Sequence, residues 1–134
     1  MLKILYCDDD AAAGGLISGQ LRAYCKETEW VRTVGTFTDG LKSGAFELGI
    51  LNAWVEGLPG ILIGQQIREV GEPALPTIPL LIVGPDMPLH QHLVDMRRLN
   101  IEFCIKYRPI REWIEKIERM LFAKHRRQTV QENF

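Results

Sequence analysis

The sequence predicts a three-layer α/β/α domain built on a five-stranded parallel sheet. Short apolar runs alternate along the chain with segments whose apolar residues recur at helical spacing, which is the pattern of strands joined by helical crossovers. The run Ile78–Val83 (IPLLIV) is apolar without alternation, as expected for a central parallel strand covered on both faces. A length of 134 residues and a hydrophobic fraction of 46% suit one domain with a substantial core.

The composition excludes several classes of protein. Sixteen Lys and Arg residues against 17 Asp and Glu residues give a formal charge of −1, so bulk charge does not indicate a nucleic-acid-coating protein. The longest mainly apolar stretch, Thr77–Val83, is far shorter than the ~20 residues that a membrane helix needs. Three cysteines without a CxxC pair predict reduced thiols. We therefore expect a cytoplasmic protein that has neither a nucleic-acid nor a membrane partner.

The first predicted strand covers Leu2–Cys7 and stops abruptly at an acidic segment. Asp10 is expected to cap a helix that begins at Ala11. Three- and four-residue spacing predicts one apolar face on this helix. Its members are Leu16, Ile17, Leu21 and Tyr24.

The second predicted strand covers Val31–Phe37, which is rich in β-branched residues. Only the short segment Leu41–Gly44 separates it from the third predicted strand, Phe46–Leu51. Because a full helix barely fits there, we expect the second helix to be shortened to one turn or to be irregular.

The remaining elements follow from periodicity and from the turn residues between them. A third helix is predicted over Ile61–Gly71 and a fourth over Leu89–Leu99, on either side of the fourth strand. The fifth strand is Ile101–Ile105, and the most regular helical pattern begins at Ile110.

The chain divides into a domain of residues 1–123 and a basic C-terminal segment of residues 124–134, interpreted as a tail or linker. The run Lys124–Arg127 lacks aromatic interleaving and a recognition-helix pattern, so a solvated helix terminus explains it better than DNA binding.

Five residues are expected to form one pocket, because the carboxyl ends of parallel strands meet at one edge of a sheet. Asp8 and Asp9 follow the first strand, Asn52 the third, Gly84 the fourth and Lys106 the fifth. Adjacent carboxylates repel each other unless a cation compensates their charge. This cation could be either the Lys106 ammonium or Mg²⁺.

These motifs, in this order, resemble the receiver domain of two-component response regulators. The resemblance covers nearly the whole chain and rests on the acidic pair after KILYC, the run FELGILN, the loop from Asn52 to Gly60, the helix ending QQIRE, and FCIK before the last helix. It implies a flavodoxin-like, CheY-like fold and a non-enzymatic signalling domain of the phosphorelay type.

The same resemblance exposes departures at the pocket. In that family the position of Asn52 is an aspartate that accepts a phosphoryl group from a histidine kinase, with Mg²⁺ held partly by the acidic pair. An amide is a very poor nucleophile, so phosphorylation by that route is not expected. The family's small hydroxyl residue aligns with Gly84, and its strand-five lysine aligns with Lys106, with Arg108 as the alternative.

The chain therefore resembles a degenerate receiver, or pseudo-receiver, that requires no cofactor. Asp8 and Asp9 are at most a residual magnesium site, and a pair neutralised by Lys106 is favoured. The resemblance implies that a signalling protein, whether kinase, regulator or second copy, binds the face of the fourth helix, fifth strand and fifth helix. Residues on this face include His92, Asp95, Arg97, Arg98, Phe103, Glu112, Lys116 and Arg119.

Two alternatives stay open at this stage. A conventional regulator could use a neighbouring carboxylate as phosphoacceptor, for which Glu56, Asp39 and Asp86 are the candidates. A flavodoxin-like small-molecule binder would share the sheet topology. The three aspartates that follow the first strand would repel a phosphate bound there, which disfavours this second alternative.

Overall fold

The computed structural model describes residues 3–25, 27–69 and 77–132, with side chains for all of these except residue 25 and residues 124–132. The strands are β1 (Lys3–Cys7), β2 (Glu27–Val31), β3 (Leu48–Asn52), β4 (Trp54–Val55), β5 (Leu58–Pro59), β6 (Leu80–Gly84) and β7 (Ile101–Ile105). The helices are α1 (Ala11–Cys25), α2 (Val34–Lys42), α3 (Gly60–Glu69), α4 (His90–Arg98) and α5 (Ile110–Glu132).

The main sheet has five parallel strands in the order β2-β1-β3-β6-β7. The short strands β4 and β5 pair with each other as an antiparallel hairpin between β3 and α3. The predicted three-layer class is confirmed.

Each sheet face carries its own core, because successive side chains of a strand point to opposite faces. On β1, Ile4 and Tyr6 pack with α1 and α5, whereas Leu5 and Cys7 pack with α2, α3 and α4. The α1/α5 core comprises Ile4, Tyr6, Ile17, Leu21, Leu48, Ile50, Leu81, Val83, Trp113 and Ile117. Burial on both faces explains the apolar runs without alternation.

The predicted start of α1 is confirmed, since Asp10 Oδ1 accepts hydrogen bonds from Ala12 N at 3.0 Å and Ala13 N at 3.2 Å. The predicted apolar face is only partly correct. Ile17 and Leu21 are buried, whereas Leu16 and Tyr24 are 65% and 57% exposed.

The packing of β2 against α1 explains this difference. Gly14 and Ser18 are buried together with Ile17 and Leu21, so small residues form part of the inward face. A Cβ built on Gly14 would lie 2.3 Å from the Trp30 ring. The Trp30 indole on β2 therefore packs against α1 at Gly14, the residue that has no side chain.

The predicted second strand, Val31–Phe37, was wrong. β2 ends at Val31, and Val34–Lys42 forms a nine-residue helix instead of one turn. Thr33 caps this helix by accepting a hydrogen bond from Thr36 N at 3.1 Å. Phe37 and Leu41, one turn apart, are both fully buried. Capping and this buried pair outweigh the β-branched composition of the segment.

The other elements lie close to their predicted positions. β7 has the predicted bounds, β6 ends one residue later than predicted, and α5 begins at Ile110. α3 ends at Glu69, and the predicted end of this helix at Gly71 lies outside the described residues.

The backbone of α5 continues to Glu132, so residues 124–132 extend the last helix. Their role as a tail or linker stays a prediction. Within the described part of the chain, we find no helix with the length and apolar character needed to span a bilayer.

Cys7 and Cys104 are free thiols, and the side chain of Cys25 lies outside the described residues. Burial raises the pKa of Cys7 to about 12, so the thiol is neutral at physiological pH.

Candidate functional site

The carboxyl edge of the sheet brings Asp8, Asn52 and Lys106 into direct contact. Lys106 Nζ donates to Asp8 Oδ2 at 2.7 Å and to Asn52 Oδ1 at 2.9 Å. The side chains of Lys106 and Asp8 are only 4% and 0% exposed. The basic residue that follows β7 and lies in the pocket is thus Lys106, whereas Arg108 pairs with Glu112 at 3.1 Å on the surface.

Asp8 has two further hydrogen-bond donors. The Tyr6 hydroxyl donates to Asp8 Oδ2 at 2.5 Å, and Asp10 N donates to Asp8 Oδ1 at 3.0 Å. Burial, reinforced by the hydrogen bond to Asp8, raises the pKa of Tyr6, so the hydroxyl keeps its proton. The sequence analysis missed Tyr6. The two-residue period of a strand was the available signal, because it puts Tyr6 and Asp8 on the same side of β1.

The Asn52 carboxamide is held at both ends. Its oxygen accepts from Lys106, while its nitrogen donates to the Trp54 carbonyl at 2.8 Å. The amide thus joins the end of β3 to the start of the β4–β5 hairpin and to the buried lysine. A carboxylate could not donate the second of these bonds.

Asp9 is exposed, and its carboxylate binds the hairpin. Asp9 Oδ2 accepts from Glu56 N at 2.8 Å, and Glu56 Oε1 in turn accepts from Val34 N at 2.6 Å. The Glu56 carboxylate therefore lies at the positive end of the α2 dipole. Glu56 and Gly57 have φ values of 53° and 76°, as a two-residue turn of type I′ requires.

The alternative acceptor carboxylates occupy different elements. Glu56 binds the first residue of α2, Asp39 lies within α2, and Asp86 lies in the exposed segment between β6 and α4.

Gly84, at the end of β6, is closely packed by its neighbours. A Cβ built on it would lie 2.8 Å from the Ala53 Cβ and 3.5 Å from the Phe103 ring. A hydroxyl side chain at this position would therefore require Ala53 to move. Gly84 also joins the pocket through its carbonyl, which accepts from Lys106 N at 2.7 Å.

The donor set does not fit a magnesium ion as it stands. Mg²⁺ takes nearly octahedral oxygen ligands at about 2.0–2.1 Å. Asp8 Oδ2 already accepts from an ammonium and a hydroxyl, the Asn52 oxygen is bound to the same ammonium, and Asp9 binds the hairpin. Among the residues that the structure describes, no three His, Cys, Asp or Glu side chains are grouped so as to hold a metal ion.

The predicted partner face divides into two parts. Phe103, Glu112, Lys116 and Arg119 line one groove between β7 and α5. Arg97 and Arg98 instead lie on α4, where Arg98 is 3.9 Å from Asp95.

Comparison with known proteins gives matches among solved structures, whereas no protein-family model and no curated protein matches the sequence. A CheY-like response regulator receiver domain protein from Methanospirillum hungatei JF-1 superimposes with a TM-score of 0.79 at 20% identity, over 95% of this chain and 99% of that chain. NtrX from Brucella abortus gives a TM-score of 0.83 at 21% identity, over 100% of this chain and 30% of that chain. The beryllofluoride-activated NtrC4 receiver domain dimer gives 0.77 at 16% identity, over 92% of this chain and 99% of that chain. The chain therefore has the CheY-like fold of response regulator receiver domains.

Proposed function

We propose that this protein is a receiver-like module of two-component signalling that is not phosphorylated at the usual position and acts by binding another protein. The observation that carries the proposal is Asn52 at the carboxyl end of β3, with its amide oxygen bound to Lys106 and its nitrogen to the Trp54 carbonyl. An amide nitrogen is a poor nucleophile and cannot form an acyl phosphate. In this proposal the Asn52 amide joins the end of β3 to Lys106 and to the hairpin, and it does not accept a phosphoryl group.

The charges of the pocket support the same proposal. The Lys106 ammonium lies against Asp8 and compensates its buried carboxylate, so the site needs no cofactor. Asp9 and Glu56 contribute to the hairpin and to the start of α2. The acidic residues of the pocket thus have structural roles in a module that binds without Mg²⁺.

Acetyl phosphate labelling in the presence of Mg²⁺, followed by intact-mass measurement, tests this function. Wild type is expected to show no stable adduct of about 80 Da, the mass that one covalently added phosphoryl group contributes. Asn52→Asp should acquire a partial adduct, because it restores a carboxylate nucleophile. Asn100→Asp makes the same change before β7, at the opposite edge of the sheet, and should stay unlabelled. A stoichiometric adduct on wild type, mapped to Glu56, Asp39 or Asp86, would favour a conventional regulator instead.

We further propose that the partner binds the groove between β7 and α5. Salt bridges of Glu112 with Arg108 and of Lys116 with Glu102 give the groove a mixed-charge wall. Tyr107 directly precedes the groove residue Arg108, and Phe122 follows Arg119 by three residues on α5. The two aromatic residues are 72% and 68% exposed. Exposed aromatic residues next to charges of both signs are typical of protein interfaces.

A second copy of the chain is the occupant that can be tested first, since the NtrC4 receiver structure is a dimer. Sedimentation equilibrium should detect reversible dimers of wild type, and Tyr107→Ser should weaken them at least about tenfold, as truncation of an aromatic interface residue often does. Tyr24→Ser removes another exposed tyrosine, on α1, and should leave the dimer unchanged. Monomers at every concentration would point to a different signalling protein as the partner.

A further inference from the structure

The Asp8 carboxylate, which has no exposed surface, is nearly saturated with hydrogen-bond donors from its own chain. A carboxylate offers about four lone-pair sites. Three of them accept hydrogen bonds from the Tyr6 hydroxyl, the Lys106 ammonium and the Asp10 backbone. Two of these donors share Oδ2, and both belong to buried side chains.

We propose that the Tyr6 hydroxyl competes with divalent cations for Asp8 Oδ2, so that restoring the carboxylate at position 52 by itself reopens only a weak metal site. This inference rests on the proposed function. It adds a specificity-determining side chain on β1, whose hydroxyl binds the same Asp8 oxygen as Lys106.

The geometry around Tyr6 supplies the physical reason. A cation bound to Asp8 Oδ2 would displace the hydroxyl, which would then need another hydrogen-bond acceptor. Tyr6 is fully buried, and its ring packs edge-on against Trp113 with centroids 6.4 Å apart, so the hydroxyl cannot turn to solvent. Leaving this buried hydroxyl without its charged acceptor should weaken cation binding at Asp8 by about tenfold or more.

Lys106 opposes a cation for a second reason. Its ammonium lies 2.7 Å from the oxygen that the metal would use. Asn52→Asp adds one negative charge, which offsets part of the repulsion between the ammonium and the metal. The same change leaves the Tyr6 hydroxyl on Asp8 Oδ2. Phenylalanine at position 6 keeps the ring against Trp113 and removes only the competing donor.

Calorimetric titration with Mg²⁺ of four proteins tests the proposal: wild type, Tyr6→Phe, Asn52→Asp and the double variant. We expect no binding by wild type or Tyr6→Phe, weak binding by Asn52→Asp, and binding at least about tenfold tighter by the double variant. Equal affinity of Asn52→Asp and the double variant would overturn the role of Tyr6, as would Mg²⁺ binding by wild type.

Tyr107→Phe in the Asn52→Asp background is the matched control, because it removes an exposed hydroxyl and keeps the aromatic ring. Lys106 Nζ lies 5.9 Å from the centroid of that ring. It should bind Mg²⁺ as Asn52→Asp does. Thermal unfolding checks that each variant folds, and Tyr6→Leu, which also lacks the hydroxyl, replaces Tyr6→Phe if that double variant does not fold. The labelling of wild type by acetyl phosphate is a separate measurement. A failure of the proposed function can therefore be distinguished from a failure of this inference.

Discussion

Replacing Lys106 by methionine is expected to lower the free energy of unfolding by about 3–5 kcal/mol, the cost of leaving a buried charge without its partner. Methionine preserves most of the aliphatic stem and removes the ammonium. Asp8, which is completely buried, would keep only its neutral donors, and the Asn52 oxygen would lose the donor 2.9 Å away. Urea denaturation followed by circular dichroism measures the loss.

Lys116→Met is the matched control for this substitution. Lys116 pairs with Glu102 at 3.4 Å, but the Glu102 side chain is 53% exposed, so water screens the pair. The expected loss is below about 1 kcal/mol. Adding Asp8→Asn to Lys106→Met should recover part of the stability, because the uncompensated charge is then removed. If Lys106→Met costs no more than Lys116→Met, the buried pair does not have the role assigned to it.

Gly14→Ala is expected to destabilise the protein by about 2–3 kcal/mol, through overpacking and the loss of a hydrogen bond. The new methyl group would lie 2.3 Å from the Trp30 ring. This ring has little freedom to move, since its Nε1 donates to the Asp8 carbonyl at 2.9 Å. The methyl group therefore either strains the helix or breaks the contact between β2 and the pocket.

Gly15→Ala makes the same chemical change one residue further along α1, with the opposite expected result. No atom lies within 4 Å of a Cβ built on Gly15. Alanine should therefore stabilise the helix by about 0.5–1 kcal/mol through its higher helix propensity. Thermal and urea unfolding of the two variants measure the difference. Losses of similar size in both would contradict the role of Trp30.

The pocket was predictable because its location depends on topology. Once five apolar runs were interpreted as parallel strands, Asp8, Asn52 and Lys106 had to meet at one edge, although Lys106 lies 54 residues from Asn52 and 98 from Asp8. The roles of Asp9 and Glu56 were not predictable in this way. They depend on a two-residue turn with positive φ at a glutamate, a conformation that a sequence rarely indicates for a non-glycine residue.

The second strand and the second helix show where local composition misleads. Val31, Thr33 and Val34 are β-branched and favour a strand, but the first ends β2, the second caps α2 and the third begins it. Side-chain capping and the burial of Phe37 outweigh propensity. Tyr6 was missed for a different reason. The two-residue period of a strand indicates the sheet face on which its side chain lies, but it does not indicate that the hydroxyl reaches the Asp8 carboxylate.

The surroundings of the three tryptophans provide the protein with its own optical reporters. Trp54 is 59% exposed next to Asn52, Trp30 donates to the Asp8 carbonyl, and Trp113 is 1% exposed against Tyr6. Indole emission depends on exposure to water and on nearby charge, so each of the three probes a different side of the pocket. Variants that retain a single tryptophan would therefore show, by fluorescence alone, whether a change at Asn52 reaches the hairpin, β2 or α5.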